Sequence, residues 1–144
     1  MLTLYNFKSY GNGYKVRLPL HQLRQPFIYL ETNILEGESR TPQFLEMNRN
    51  GKVPTLALED GRYLAESKTI LLYLAEGTGF LPSDPWQRSK VHEWLFFEQY
   101  SHEPNIATPR FWKNYLRAGE YDERELKWRQ QAGRDALGVM EPHL

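Results

Sequence analysis

Gly51-Lys52-Val53-Pro54-Thr55-Leu56-Ala57-Leu58, running on through Asp60-Gly61 and Arg62-Tyr63-Leu64 into Glu66-Ser67, is the stretch on which the fold turns. Residues 55–58 read as a strand. Asp60-Gly61 reads as a two-residue hairpin, because glycine accepts the positive φ such turns need, and Arg62-Tyr63-Leu64 reads as the returning strand. Glu66-Ser67 then opens a helix with apolar residues at Ile70, Leu71 and Leu74. Proline has no backbone donor, so Pro54 at the mouth of a strand predicts an edge, a bend or a cis peptide. A cis bond would leave the Val53 N–H and C=O to pair with an extended peptide. The Ser67 amide, at a helix N-terminus, suits a carboxylate. Together these features fit a small peptide that carries carboxylates.

Working outward, Leu2-Thr3-Leu4-Tyr5 alternates and predicts a first strand. A loop through Gly11-Asn12-Gly13 leads to a helix over 14–23, with Val16, Leu20 and Leu23 on one face and Pro19 bending it. Phe27-Ile28-Tyr29-Leu30 is a second strand. A polar loop over 33–41 precedes a short helix over 42–47 with proline at its first position. The order βαβ, short helix, ββα predicts an α/β thioredoxin-like domain over residues 1–77.

Residues 78–85 form a Gly/Pro linker. Asp84-Pro85 supplies an N-cap and first position for a helix to about residue 100, carrying Val91, Trp94, Leu95 and Phe97. Pro104 and Pro109 interrupt, Phe111-Trp112 and Tyr115-Leu116 resume, and 122–143 forms a last, weakly amphipathic helix. Residues 86–144 thus read as a partial all-α domain. Aromatic residues are 14% of the chain and crowd between positions 94 and 115, where they must fill a core or line a pocket.

The 144 residues carry no net charge, with 18 Lys+Arg against 18 Asp+Glu, so neither nucleic acid nor an anionic membrane is an expected partner. No apolar run reaches transmembrane length. Met1-Leu2-Thr3-Leu4-Tyr5 lacks the basic and apolar regions of a signal peptide. The absence of cysteine removes disulfides, thiolate metal sites and a nucleophilic thiol of the chain's own. A soluble, cytoplasmic protein with no metal is the expectation.

Gly51-Lys52-Val53-Pro54 and Leu64-Ala65-Glu66-Ser67-Lys68-Thr69-Ile70-Leu71-Leu72-Tyr73-Leu74 resemble, in order and spacing, the two glutathione-site segments of the glutathione S-transferase family, in its bacterial-type, non-tyrosine branches. Thr41-Pro42-Gln43-Phe44-Leu45 and Asn48-Arg49-Asn50-Gly51-Lys52 resemble the stretch before them. Leu81-Pro82, followed by a long aromatic helix, resembles the interdomain joint. The resemblance covers nearly the whole chain. Members of the family usually continue for several more helices, including one with a buried capping box, so the chain reads as C-terminally short.

The resemblance implies glutathione as co-substrate, with the Ser67 amide and hydroxyl and the Glu66 side chain on its γ-glutamyl end. Val53-Pro54 would meet the cysteinyl backbone, and Lys52 and Arg40 the glycyl carboxylate. The family places the thiolate-stabilising donor in the loop after the first strand or at the start of the next helix, here Ser9-Tyr10-Gly11-Asn12-Gly13-Tyr14. Bacterial relatives often show a small hydroxyl or a cysteine just before Gly-Asn, where this chain has Tyr10. Asn12 ranks first for the role, because its amide can donate to sulfur, then Tyr10, then Ser9. Tyr5 falls too early, within the strand. An electrophile pocket would be walled by Tyr100, His102 and Trp112, although aromatic stripes at helical spacing more often fill a core.

The implied function is a glutathione transferase-like enzyme that stabilises the glutathione thiolate and adds it to a small electrophile, or reduces a disulfide substrate with glutathione. The alternative is a non-catalytic glutathione-binding or protein-interaction module on the same fold. Family members commonly pair as homodimers. Two other motifs fail on the residues. Gly11-x-Gly13 with Glu31 echoes a dinucleotide fingerprint but has Val16 for its third glycine. His92-Glu93 lacks a second histidine at the spacing of a zinc helix.

Overall fold

The computed structural model describes residues 1–143; the chain divides into two compact units, one over residues 1–81 and one from residue 82 onward. In the first unit the elements are β1 (Leu2–Asn6), α1 (Gly11–Gln22), β2 (Phe27–Glu31), α2 (Pro42–Met47), β3 (Thr55–Ala57), β4 (Tyr63–Leu64) and α3 (Ser67–Ala75). The strands form one mixed sheet in the order β2-β1-β3-β4. β1 runs parallel to β2 and antiparallel to β3, and β3 is antiparallel to β4. This is the thioredoxin-like α/β arrangement expected from the element order.

Period-two alternation in β1 buries Leu2 and Leu4 with Leu56 and Leu58 against Val16 and Leu20 of α1 and Ile70 of α3. The opposite face of β1 presents Tyr5, whose ring meets Phe44 of α2 edge-on at 6.2 Å. Thr41 caps α2 by accepting the Phe44 N–H, with Pro42 at the first position.

Several local expectations are corrected. Gly11-Asn12-Gly13 is the first turn of α1 and not a preceding loop. Tyr10, in an extended conformation, is the N-cap, and its carbonyl oxygen accepts the N–H groups of Gly13 and Tyr14. Pro19 lies inside this helix. Residues 33–41 hold two 3-10 turns, Ile34–Glu36 and Glu38–Arg40, hinged at Gly37 with φ 78°. The first of these is capped by the Asn33 side chain. The β3–β4 hairpin has three loop residues, because Leu58 N–H donates to the Arg62 carbonyl and encloses Glu59, Asp60 and Gly61. Gly61 takes φ 85° there, so the glycine signal held while the loop length differed.

The second unit contains α4 (Pro85–Phe97), α5 (Glu103–Tyr115) and α6 (Glu123–Met140). Asp84 caps α4 through the Gln87 N–H, and Asp122 caps α6 through the Arg124 N–H. Pro104 and Pro109 do not interrupt the chain's helical course, contrary to expectation. A π-helical turn over Glu98–His102 connects α4 to α5, Pro104 falls in the first turn of α5, and Pro109 sits within it. Likewise the last helix ends at Met140, followed by a 3-10 turn over Glu141–His143. Gly133 of α6 lets that helix approach α5, since a Cβ there would lie 2.7 Å from the Asn105 carbonyl oxygen. Among the described residues, no helix is long and apolar enough to cross a membrane.

Candidate functional site

Sheet register brings the first unit's candidates to one end. Tyr5 at the C-terminal end of β1 faces Thr55, the first residue of β3, and Asn6 faces Glu31, the last of β2. β4 runs antiparallel to β3, so its exit toward α3 lies at that same end. The loop before α1, the Val53-Pro54 segment and the N-terminus of α3 therefore converge there.

Val53-Pro54 is cis, and both residues are buried. Asn48, itself buried, staples the loop around them. Its Nδ2 donates to the Lys52 carbonyl at 2.8 Å and to Thr55 Oγ1 at 3.0 Å, and its Oδ1 accepts the Asn50 N–H at 3.1 Å. Thr55 Oγ1 donates in turn to the Lys52 carbonyl at 3.1 Å. Gly51, with φ 61°, completes the turn, and any Cβ there would strike the Arg40 guanidinium at 2.6 Å. Arg40 Nη1 donates to the Asn50 carbonyl at 3.0 Å, which ties the 3-10 turn to the same loop. The Lys52 side chain is exposed. The sequence reading missed the stapling role of Asn48, although Asn48-x-Asn50-Gly51 carries ordinary turn chemistry.

Glu66, the N-cap of α3, holds φ 64° without being glycine. Such a conformation costs on the order of 1–2 kcal/mol and persists only where the surroundings impose it. It delivers the chain to Ser67, which is buried at the first position of α3, where helical N–H groups have no partner within the helix. Unpartnered N–H groups at the positive end of a helix are the chemistry that suits an anion.

Asn12 sits at the second position of α1, Tyr10 at its N-cap, and Ser9 in the exposed loop before it. Lys15 Nζ donates to Asn12 Oδ1 at 2.7 Å. That contact turns the Asn12 amide N–H₂ to the side away from Lys15, and a cation on its oxygen makes the amide a stronger donor. Below the turn lies Asn6, fully buried, whose side-chain polar atoms meet no hydrogen-bond partner among the described residues. Gly13 packs directly on it.

A network on β2 completes this end of the sheet. Glu31 accepts the Lys8 N–H at 3.0 Å and the Tyr29 hydroxyl at 2.6 Å. Burial, then the hydrogen bond to Glu31, pushes the Tyr29 phenol up to about 12, with the Arg17 guanidinium over its ring pulling the other way.

In the second unit, Tyr100 is almost fully exposed on the π-helical turn and His102 is half-buried, its Nδ1 3.6 Å from Glu98 Oε1. Trp112 stacks on Tyr121 at 5.8 Å and lies beneath the Arg129 guanidinium. Among the described residues, no cluster of three or more His, Cys, Asp or Glu side chains is arranged to hold a metal ion. A groove of about 430 Å³ in the first unit, lined in part by Leu2, Leu58, Tyr73 and Leu74, lies at the opposite end of the sheet and borders none of the candidate residues.

Comparison with known proteins adds to this geometry. The profile of the glutathione S-transferase N-terminal domain matches residues 12–76. A glutathione S-transferase structure from Xanthobacter autotrophicus Py2 superposes with a TM-score of 0.93 at 43% identity, covering 99% of this chain and 70% of that one. The structure of Ure2p in complex with glutathione superposes with a TM-score of 0.85 at 27% identity, covering 97% of this chain and 61% of that one. The transcriptional regulator URE2 of Saccharomyces cerevisiae is 36% identical over 116 residues, which are 73% of this chain and 32% of that protein. The chain spans less than two fifths of the length of the curated relatives it matches, 38% for the longest share.

Proposed function

Since the chain belongs to the glutathione S-transferase family, we propose that it binds glutathione at this end of the sheet, stabilises the thiolate and transfers the sulfur to a small electrophile. The observation that carries this reading is the convergence of cis Val53-Pro54, strained Glu66 before Ser67, and the Asn12 turn. Val53 main-chain groups pair with the cysteinyl residue of the tripeptide. The Ser67 N–H and hydroxyl, with the positive end of α3 behind them, take the γ-glutamyl carboxylate, and the Glu66 carboxylate takes its ammonium. Lys52 serves the glycyl carboxylate, while Arg40 acts by holding the loop through Asn50.

A free thiol titrates near ~8.5 and must fall by about one to two units to be substantially ionised at neutral pH. One hydrogen bond to the anion, worth about 1.5–3 kcal/mol, supplies that shift at ~1.36 kcal/mol per unit. Asn12, polarised by Lys15, is the donor that fits, with Tyr10 and then Ser9 behind it. The thiolate then attacks the electrophilic carbon, a C–S bond forms, and the leaving group departs with its electron pair. With a disulfide substrate, a first glutathione thiolate releases one sulfur as thiol, and a second glutathione resolves the mixed disulfide. Homodimeric assembly, a cytoplasmic setting and a role in detoxification go with the same reading.

Turnover of an activated aryl chloride with glutathione tests it. Turnover that falls at least tenfold in Asn12→Ala supports the enzyme reading. Tight glutathione binding without turnover would instead favour a non-catalytic module, a reading to which the similarity to a transcriptional regulator lends weight.

A further inference from the structure

Glu31 closes β2, and its carboxylate is engaged from two sides. Oε1 accepts the N–H of Lys8, in the loop that leads to α1, and Oε2 accepts the Tyr29 hydroxyl. The Tyr29 ring lies 5.6 Å from the Arg17 guanidinium of α1. Its hydroxyl oxygen is also 3.3 Å from the Asn6 carbonyl oxygen, which accepts the Thr32 N–H at 2.8 Å. Asn6 in turn supports Gly13 in the first turn of α1. An exposed glutamate ordinarily samples several rotamers, but two partners on separate segments hold this one in a single place. The end of β2 thus contacts the loop before α1 through Lys8, the helix through Arg17, and the end of β1 through Asn6.

We propose that Glu31, acting through the Lys8 amide and Tyr29, is a positioning residue that fixes the β1–α1 loop and thereby the aim of the Asn12 turn at the bound thiol. This rests on the glutathione-binding reading above. A donor that stabilises developing charge works by being preorganised, and a displacement of about 1 Å removes much of its effect. Lys8 and Ser9 are exposed, and the Glu31 carboxylate ties this part of the loop to the end of β2. Glu31 touches neither Val53 nor Ser67, so its loss acts on the sulfur end of the ligand and spares the peptide contacts.

The test uses the full chain, saturated with glutathione at neutral pH, with the ultraviolet band of the thiolate and the calorimetric Kd both measured. Glu31→Ala should lower the thiolate band about fivefold, as a one-unit rise in thiol pKa does from a half-ionised start. The Kd should change less than about threefold, because uniform binding is untouched. Glu31→Gln keeps an oxygen for the Lys8 N–H and should recover most of the band. If Glu31→Ala does not fold, Tyr29→Phe reads the same link, with an intermediate loss expected and an unchanged band counting against it. A wild-type band in folded Glu31→Ala overturns the positioning role, as does a parallel loss of band and affinity. Failure of the wild-type chain to bind glutathione sinks the glutathione reading and this proposal together. Normal wild-type binding with an indifferent Glu31 sinks this proposal alone.

Discussion

Gly13 lies so close to Asn6 that a Cβ on the glycine would stand 1.7 Å from Asn6 Oδ1. Gly13→Ala should therefore destabilise the chain by about 1–3 kcal/mol, the usual cost of overpacking. In an Asn6→Ala background the clash is gone, and the same change should be neutral or favourable, since alanine exceeds glycine in a helix by roughly 0.5–1 kcal/mol. Denaturant melts of the four variants give the coupling, and additive effects would contradict the contact.

Asn48→Ala removes two donated hydrogen bonds and one accepted bond from a buried position. At about 1 kcal/mol each, with unpaired partners left behind, the expected loss is ~2–4 kcal/mol. The loop it staples carries Val53-Pro54, so glutathione affinity should fall even where the variant remains folded. Thermal melting and calorimetry on the same sample separate the two effects.

Glu66→Gly should keep or raise stability, because relief of the positive φ offsets the added freedom of the unfolded chain to within about 1 kcal/mol. Ligand affinity should nevertheless drop, since the carboxylate is gone. A variant that is both less stable and fully competent to bind would contradict the view that Glu66 is strained for the sake of the site.

The Tyr29 phenol rises from 10.0 to about 12 in the folded chain. A folded pKa above the unfolded one means the contribution to stability is whole below about pH 10 and lost as pH climbs through about 12. In a spectrophotometric titration of the nine tyrosines, one should ionise last, and Tyr29→Phe should delete that step. Glu31→Gln should bring the step down only part of the way, because burial, the larger cause, remains.

The thioredoxin-like unit was legible because its signals are local and periodic. Alternation in Leu2-Thr3-Leu4-Tyr5, Pro42 after Thr41, and the Val53-Pro54 junction each point to one backbone state. What the sequence concealed depends on contacts between distant residues. The start of α1 hinges on Tyr10 serving as N-cap with Gly13 seated on Asn6, which spacing cannot reveal. Pro104 and Pro109 read as breaks because the preceding π-helical turn leaves no trace in the hydrophobic pattern. At the site, Val53, Pro54, Glu66 and Ser67 were readable as a motif. Asn48, Lys15 and Glu31 were not, since they act on the motif residues through hydrogen bonds that only the folded chain forms.

Calorimetric titration of the chain with glutathione, alongside the Ser67→Ala plus Glu66→Ala variant, tests the central claim most directly. Saturable binding by the wild-type chain that the paired substitution abolishes, with both proteins folded, is the predicted result. A folded wild-type chain that binds no glutathione would contradict the account, and equal binding by the variant would move the site away from the N-terminus of α3.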